Sequence, residues 1–244
     1  MSKRSNRFDP LAFEEKVENL LLSLEIPYRR RSSYVLAFLH RSVLNELDFK
    51  ESNERLEYLG DAVLELIATE YLFHAFPDKD EGAMTDIRSA LVRGRNLADV
   101  ALKIGLSNFI LLSKGEIQAG GNFNPYILAN TFEALLGAIY LDAGFLAAKQ
   151  FVEVHVISTL ANIFDQDLHV DPKSHLQEIV QSMYNVTPHY DLIAEHGLDH
   201  DKTYEIGVYV SEREIGRGIG SSKKKAQSKA AENALERSAE WEKA

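Results

Sequence analysis

Apolar residues recur at helical spacing from the start of the chain to about residue 164. This pattern predicts helices in "AFEEKVENLLLSL", "SYVLAFLHRSVLNEL", "NERLEYLGDAVLELIATEYLFHAF", "MTDIRSALVRGRNLADVALKIG", "YILANTFEALLGAIYLDAG" and "AAKQFVEVHVISTLANIF". Turn signals separate them, among them Phe76-Pro77-Asp78, Gly105-Leu106-Ser107 and Gly120-Gly121-Asn122. The two-residue period of a strand is absent from this part. "DQDLHVDP" is short and polar and reads as a linker, after which the pattern changes. "PKSHLQEIVQSMY" is a helix with Pro172 just inside its start. In "KTYEIGVYVSE", Tyr204, Ile206, Val208 and Val210 alternate as in a half-buried strand, flanked by strands in "HYDLIAEHG" and "EIGRGIGSS". A last helix follows in "KKKAQSKAAENALERSA". The expected fold class is α+β overall: an all-α helical domain, then a small α-β-β-β-α domain with both helices on one face of a meander.

Two helices carry more than a packing pattern. About 100° of turn per residue, counted from Glu54, puts Glu57 at about 300° and Asp61 at about 340°. Leu56, Leu59, Val63, Leu66 and Ile67 fall between roughly 120° and 220°, an ordinary core stripe. On spacing alone, the acids read as the wet side of an amphipathic helix. In "YILANTFEALLGAIYLDAG", Asn130 and Glu133 share one face, with Leu128, Phe132, Leu135 and Ile139 on the other. If the two helices pack side by side, Glu57, Asp61, Asn130 and Glu133 can converge on one pocket. Like charges that close raise one another's pKa, so a structural purpose for them is hard to find.

Composition narrows the chemistry. The 244 residues include no cysteine, which excludes disulfides, thiolate zinc sites and a cysteine nucleophile. The eight histidines are scattered, so a metal would be held by oxygen, which favours Mg²⁺, with Mn²⁺ as a substitute. No apolar run reaches the ~18 residues of a membrane span, and the first residues have no signal-peptide core. A cytoplasmic protein without a membrane partner is expected. The net charge of −10 argues against an indiscriminate nucleic-acid coat, yet basic clusters occur in "YRRRSS", "IRSALVRGR" and "GSSKKKAQSK".

The last cluster is placed against the physics of its helix. Lys223, Lys224 and Lys225 occupy the first turn after the plausible caps Ser221 and Ser222, where the helix dipole prefers acids. A phosphate docked at the helix start reverses the sign, because dipole, free N–H groups and lysines then all favour the anion.

With these residues in place, "NERLEYLGDAVL" closely resembles the signature of the ribonuclease III family. The resemblance extends to "FLHRS", "DEGAMTDIRSALV" and "LANTFEALLGAIYLD". The second part looks like a double-stranded-RNA-binding domain, through "DPKSHLQE", "HDKTYEIGVYV" and "GRGIGSSKKKAQSKAAENAL". The resemblance covers nearly the whole chain. It implies a catalytic domain over residues 14–145, its terminal helix and a linker over 146–170, and the binding domain over 171–240.

The resemblance implies a Mg²⁺-dependent endoribonuclease, a homodimer that cuts both strands of double-stranded RNA and leaves 5′-phosphate ends. Ribosomal RNA precursors and structured mRNA or tRNA precursors are the expected substrates. By motif, Glu57, Asn130 and Glu133 look like metal ligands, and Asp61 and Glu133 like the residues on which hydrolysis most depends. Glu54 and Glu81 match further family acids. Tyr58 falls where the family usually has a phenylalanine that plugs into the partner subunit, with an ordinary core aromatic as the alternative. In the binding domain, Gln177 and His200 match minor-groove contacts, and Lys223, Lys224 and Lys225 match a phosphate clamp.

Two positions depart from the family pattern. Asn130 stands where many members have aspartate, which removes one negative charge from the site. Leu198 stands where the binding-domain motif has proline, beside the loop that carries His200. A catalytically weak or inactive duplex-RNA-binding dimer is therefore the alternative, with Asn130 as its one mark. A helical metal-carboxylate oxidase would need Glu-x-x-His pairs, and none occurs.

Overall fold

The computed structural model describes residues 8–47, 49–168, 171–197 and 202–241. The chain divides into two compact units, Met1–His169 and Val170–Ala244.

The first unit is helical. Asp9 accepts the N–H groups of Leu11 and Ala12, with Pro10 at the first position, and so starts α1 (Pro10–Ser23). A short α2 (Ser32–Val35) leads to 3₁₀ turns at Leu36–Phe38 and Arg41–Val43. Then come α3 (Glu54–Ala75), α4 (Glu81–Leu91), α5 (Gly94–Lys103) and a short α6 (Lys114–Gln118). The unit ends with α7 (Pro125–Ala143), α8 (Phe145–His155) and α9 (Leu160–Asp165). Helix α7 is the axis. Leu128, Phe132, Leu135 and Ile139 are fully buried, and so are Ala134 and Leu136 on its other sides, because α3, α5 and α8 all pack against it. Thr131, also buried, donates its hydroxyl to the Ile127 carbonyl at 2.7 Å, as a hydroxyl sealed in a helix must.

Three expected helices are broken. "SYVLAFLHRSVLNEL" gives only α2 and the two 3₁₀ turns, because Leu39 leaves helical geometry to bridge Leu111. Leu111 donates its N–H to Phe38, and His40 donates to Leu111. "MTDIRSALVRGRNLADVALKIG" splits into α4 and α5 at Arg93, which is not helical (φ −57°, ψ 134°). "AAKQFVEVHVISTLANIF" divides at Val156 into α8, a 3₁₀ turn at Ile157–Thr159, and α9.

The second unit matches the expected order. Helix α10 (Pro172–Tyr184) precedes β1 (His189–His196), β2 (Thr203–Val210) and β3 (Arg213–Gly220), followed by α11 (Lys223–Glu236) and α12 (Ser238–Trp241). The strands form an antiparallel meander, with Leu192 opposite Ile206 and Ile206 opposite Gly218. A Cβ on Gly218 would overlap the backbone of α11 at Ala226 and Ala230, so this glycine lets the helix lie directly on the sheet. Helix α12 lies beyond the elements expected from the pattern. It seats Trp241 in this unit's core, where the indole N–H donates to the Ala234 carbonyl at 2.7 Å.

Candidate active site

Helix α3 is held at its start by a buried asparagine. Asn53 donates its backbone N–H to Leu39 at 2.8 Å and its side-chain amide to the Ala37 carbonyl at 3.2 Å. This anchors Glu54 and Glu57 in the first turn against the segment of the first 3₁₀ turn. Helix α7 starts at a side-chain cap, Asn124, which accepts the Tyr126 N–H at 2.9 Å, with Pro125 at the first position. One turn further on, α7 presents Asn130 and Glu133.

The two helices meet backbone to backbone. A Cβ on Gly60 would overlap the carbonyl oxygen of Glu133, and a Cβ on Gly137 would overlap that of Leu56. The glycines remove the side-chain layer between the helices, which brings the carboxylates of one helix against those of the other. Neither glycine was a candidate from sequence, although both lie inside strongly apolar helices, where an unexplained glycine is itself a packing signal.

The electrostatics follow from this closeness. Burial raises the Glu133 carboxyl, and the negative charges of Asp61 and Glu57 raise it further, to about 8. Burial also raises Glu57, with help from Glu54 and Asp61, while the Asn130 side chain and Arg41 pull it back. Asp61 and Glu57 thus act electrostatically on Glu133, and the Asn130 side chain hydrogen-bonds Glu57; of these four, Glu57 and Asn130 line the adjoining cavity. Glu54 joins them at the edge, held by the Ser52 hydroxyl at 2.8 Å and by Arg41 at 3.6 Å.

Glu54, Glu57 and Asn130 line a cavity of about 210 Å³. Its other walls include residues to which the pattern gave no role: His40, Arg41, Glu116 and Tyr126. His40 is fixed by Ser42, whose hydroxyl lies 2.9 Å from Nδ1 and whose backbone N–H donates to it. Nδ1 therefore accepts, and the ring proton sits on Nε2. Burial pushes the His40 pKa down, which favours the neutral ring.

Among the described residues, no three carboxylates or imidazoles form a ready-made metal cage. The donor set still fits one kind of ion. Crowded carboxylates and a neutral amide suit a hard divalent cation that keeps several of its waters.

Glu81 lies elsewhere. It is exposed at the start of α4 and lines a separate cavity of about 150 Å³ with Thr69, Phe73, Met84 and Arg88. Thr69 is eight residues past Asp61, which is about 12 Å along a helix axis. Tyr58 points away from the core and is 81% exposed, so it is not an internal core aromatic. Leu66, expected in the core stripe, is also exposed at 58%, as is Phe73 at 65%.

In the second unit, Gln177 is exposed on α10, and Lys223, Lys224 and Lys225 are exposed in the first turn of α11. Ser222 caps that helix by accepting the Lys225 N–H. His200 and Leu198 lie outside the described residues.

Residues 32–160 match the Ribonuclease-III-like family, and residues 172–237 match the Double-stranded RNA binding motif. The chain belongs to the ribonuclease III family. It is 42% identical to Ribonuclease 3 of Borreliella burgdorferi over 238 residues, covering 96% of this chain and 97% of that protein. Ribonuclease 3 of Enterococcus faecalis is 45% identical over 202 residues, 82% of this chain and 87% of that one. A crystal structure of the nuclease domain of ribonuclease III from Campylobacter jejuni superposes with a TM-score of 0.54 at 39% identity. It covers 59% of this chain and 96% of that one. As a ribonuclease III, the protein is a double-strand-specific endoribonuclease with a nuclease unit and a duplex-RNA-binding unit. Among the described residues, no helix is long and apolar enough to cross a membrane.

Proposed function

We propose that this ribonuclease III hydrolyses phosphodiester bonds of double-stranded RNA with Mg²⁺, or Mn²⁺ in its place, and leaves 5′-phosphate and 3′-hydroxyl ends. The observation that carries this reading is the close crossing of α3 and α7 at Gly60 and Gly137, which buries Glu133 beside Asp61 and Glu57 and so raises its carboxyl to about 8. Carboxylates crowded to that degree are poised for a cation. Glu57, Asn130 and Glu133 are assigned as its ligands. When bound, the ion supplies charge stabilisation at the phosphate and lowers the pKa of a coordinated water.

The chain's own residues do the rest. Asp61 and Glu133 orient the attacking water in line with the departing 3′-oxygen, and either carboxylate can accept the proton that the water loses. His40 Nε2–H is a neutral donor in the wall of the adjoining cavity. In the second unit, Gln177, His200 and the lysines of α11 hold the duplex by its shape and phosphates.

Tyr58, Leu66 and Phe73 form an exposed apolar stripe along α3. This supports a homodimer in which the stripe is covered by a second copy, with Tyr58 at the interface. Glu81, beside Phe73, then belongs to the dimer's surroundings. The domain bounds assigned are residues 14–145 for catalysis, 146–170 for terminal helix and linker, and 171–240 for RNA binding. Processing of ribosomal RNA precursors and structured transcripts in the cytoplasm is the biological role assigned.

The test is gel-resolved cleavage of a long RNA duplex in Mg²⁺ beside the same RNA single-stranded. Cutting of the duplex alone, with 5′-phosphate ends, is expected. Tight binding without cutting would favour the alternative of a catalytically weak duplex-binding dimer, and Asn130→Asp would then be expected to restore cleavage.

A further inference from the structure

Glu195 stands near the end of β1, opposite Tyr204 of β2. Its two carboxylate oxygens are engaged by two different lysines. Oε1 lies 3.7 Å from the Lys223 Nζ and Oε2 lies 3.7 Å from the Lys202 Nζ. The Lys223 ammonium also sits 5.7 Å from the centre of the Tyr204 ring. By contrast, among the described residues the nearby Lys225 ammonium meets a neutral group, the Ser221 hydroxyl, at 3.3 Å.

A stabilising role accounts poorly for Glu195. Its pairs with the lysines are partly exposed, and exposed pairs add little to folding. The pairing matters more for what the lysines can do. In the free protein Glu195 neutralises Lys223 at the start of α11, where the helix dipole already opposes a cation. A phosphate that takes Lys223 must draw it from the carboxylate and then lie beside a negative charge that has lost one of its two lysines.

We propose that Glu195 is an affinity-setting residue of the RNA-binding unit, an internal competitor with RNA phosphate for Lys223 and Lys202. The inference rests on the reading of the α11 start as a phosphate contact. Its consequence is a duplex held less tightly, and with a shallower salt dependence, than the lysines alone would hold it.

Binding of an RNA duplex by the full chain in Ca²⁺ tests this, titrated across KCl concentrations. Four proteins are compared: wild type, Glu195→Gln, Lys223→Gln and the double variant. Glu195→Gln keeps the side-chain shape and removes the charge. It should tighten binding about threefold to fivefold near 0.1 M salt and steepen the slope of log affinity against log salt. In the Lys223→Gln background the gain should shrink to less than about twofold, the remainder coming from Lys202. If Lys223→Gln leaves affinity unchanged, α11 is not a phosphate contact and the inference falls with that reading. If Lys223→Gln weakens binding while Glu195→Gln leaves it unchanged or weaker, the contact stands and competition by Glu195 is refuted.

Discussion

Gly60 on α3 and Gly137 on α7 face one another across the helix crossing, and each occupies the only space that the other helix's backbone leaves. The crossing lies one turn from Glu57 and Glu133, so the helix separation that it fixes is also the separation of the site's carboxylates. Alanine at either position would raise helix propensity by about 1 kcal/mol, so any loss reports the clash. Gly60→Ala is expected to lower unfolding free energy by about 1–3 kcal/mol and to reduce cleavage more than duplex binding. Urea unfolding alongside cleavage rates would check this. A stabilised, fully active Gly60→Ala would mean that the helices are free to move apart.

The Glu133 carboxyl gives the metal-free protein a pH dependence of known sign. Its folded pKa is about 8, against 4.5 ordinarily, through burial and then through Asp61 and Glu57. Between those values the folded state holds a proton that the unfolded chain has released. Stability therefore falls as pH rises through this window, and the loss is complete above about 8. Glu133→Gln removes the effect. In EDTA its unfolding free energy should exceed that of wild type by on the order of 1–3 kcal/mol at pH 8.5 and approach it at pH 4.5, read from melting curves. Parallel melting curves for the two proteins across this range would show that Glu133 ionises normally.

The same variant separates cutting from binding. Glu133→Gln keeps the side-chain volume and loses the negative charge. The expected outcome is cleavage reduced at least about a thousandfold, while duplex affinity in Ca²⁺ stays within about twofold of wild type. Lost binding would move Glu133 from the chemistry to the RNA-holding surface.

Both long site helices were legible in the sequence, for a physical reason. Along α3 the local period and the tertiary burial agree at most positions, and on α7, buried on nearly every side, Asn130 and Glu133 stay half-buried, so counting residues finds the acidic faces. Where tertiary partners override the period, the pattern misleads. Residues 34–47 are apolar enough for a helix, but Leu39 pairs instead with Leu111, and the turn that results carries His40 and Arg41 to the site. Their role is invisible without the fold, because nothing in one chain's spacing brings residue 40 beside residue 130. Leu66 misled in the opposite way. It sits at the rim of the counted stripe, and the apolar face of α3 is wide enough that only part of it is covered by its own chain.

That uncovered part supports the last prediction. Tyr58, Leu66 and Phe73 are each more than half exposed and fall within about 80° of one another around α3. Burying a large aromatic is worth about 1.5–3 kcal/mol. In a twofold interface the same residue is buried twice, so the effect on association doubles. Tyr58→Asp should therefore weaken dimerisation by about a hundredfold or more, with a shift toward monomer at micromolar concentration in sedimentation equilibrium. Tyr58→Phe, which keeps the ring, should stay dimeric. Because Tyr58 follows Glu57 directly, loss of the dimer should also lower cleavage, while binding of a short duplex through the second unit persists. A Tyr58→Asp protein that remains a dimer of unchanged affinity would show that the α3 stripe is not where two chains meet.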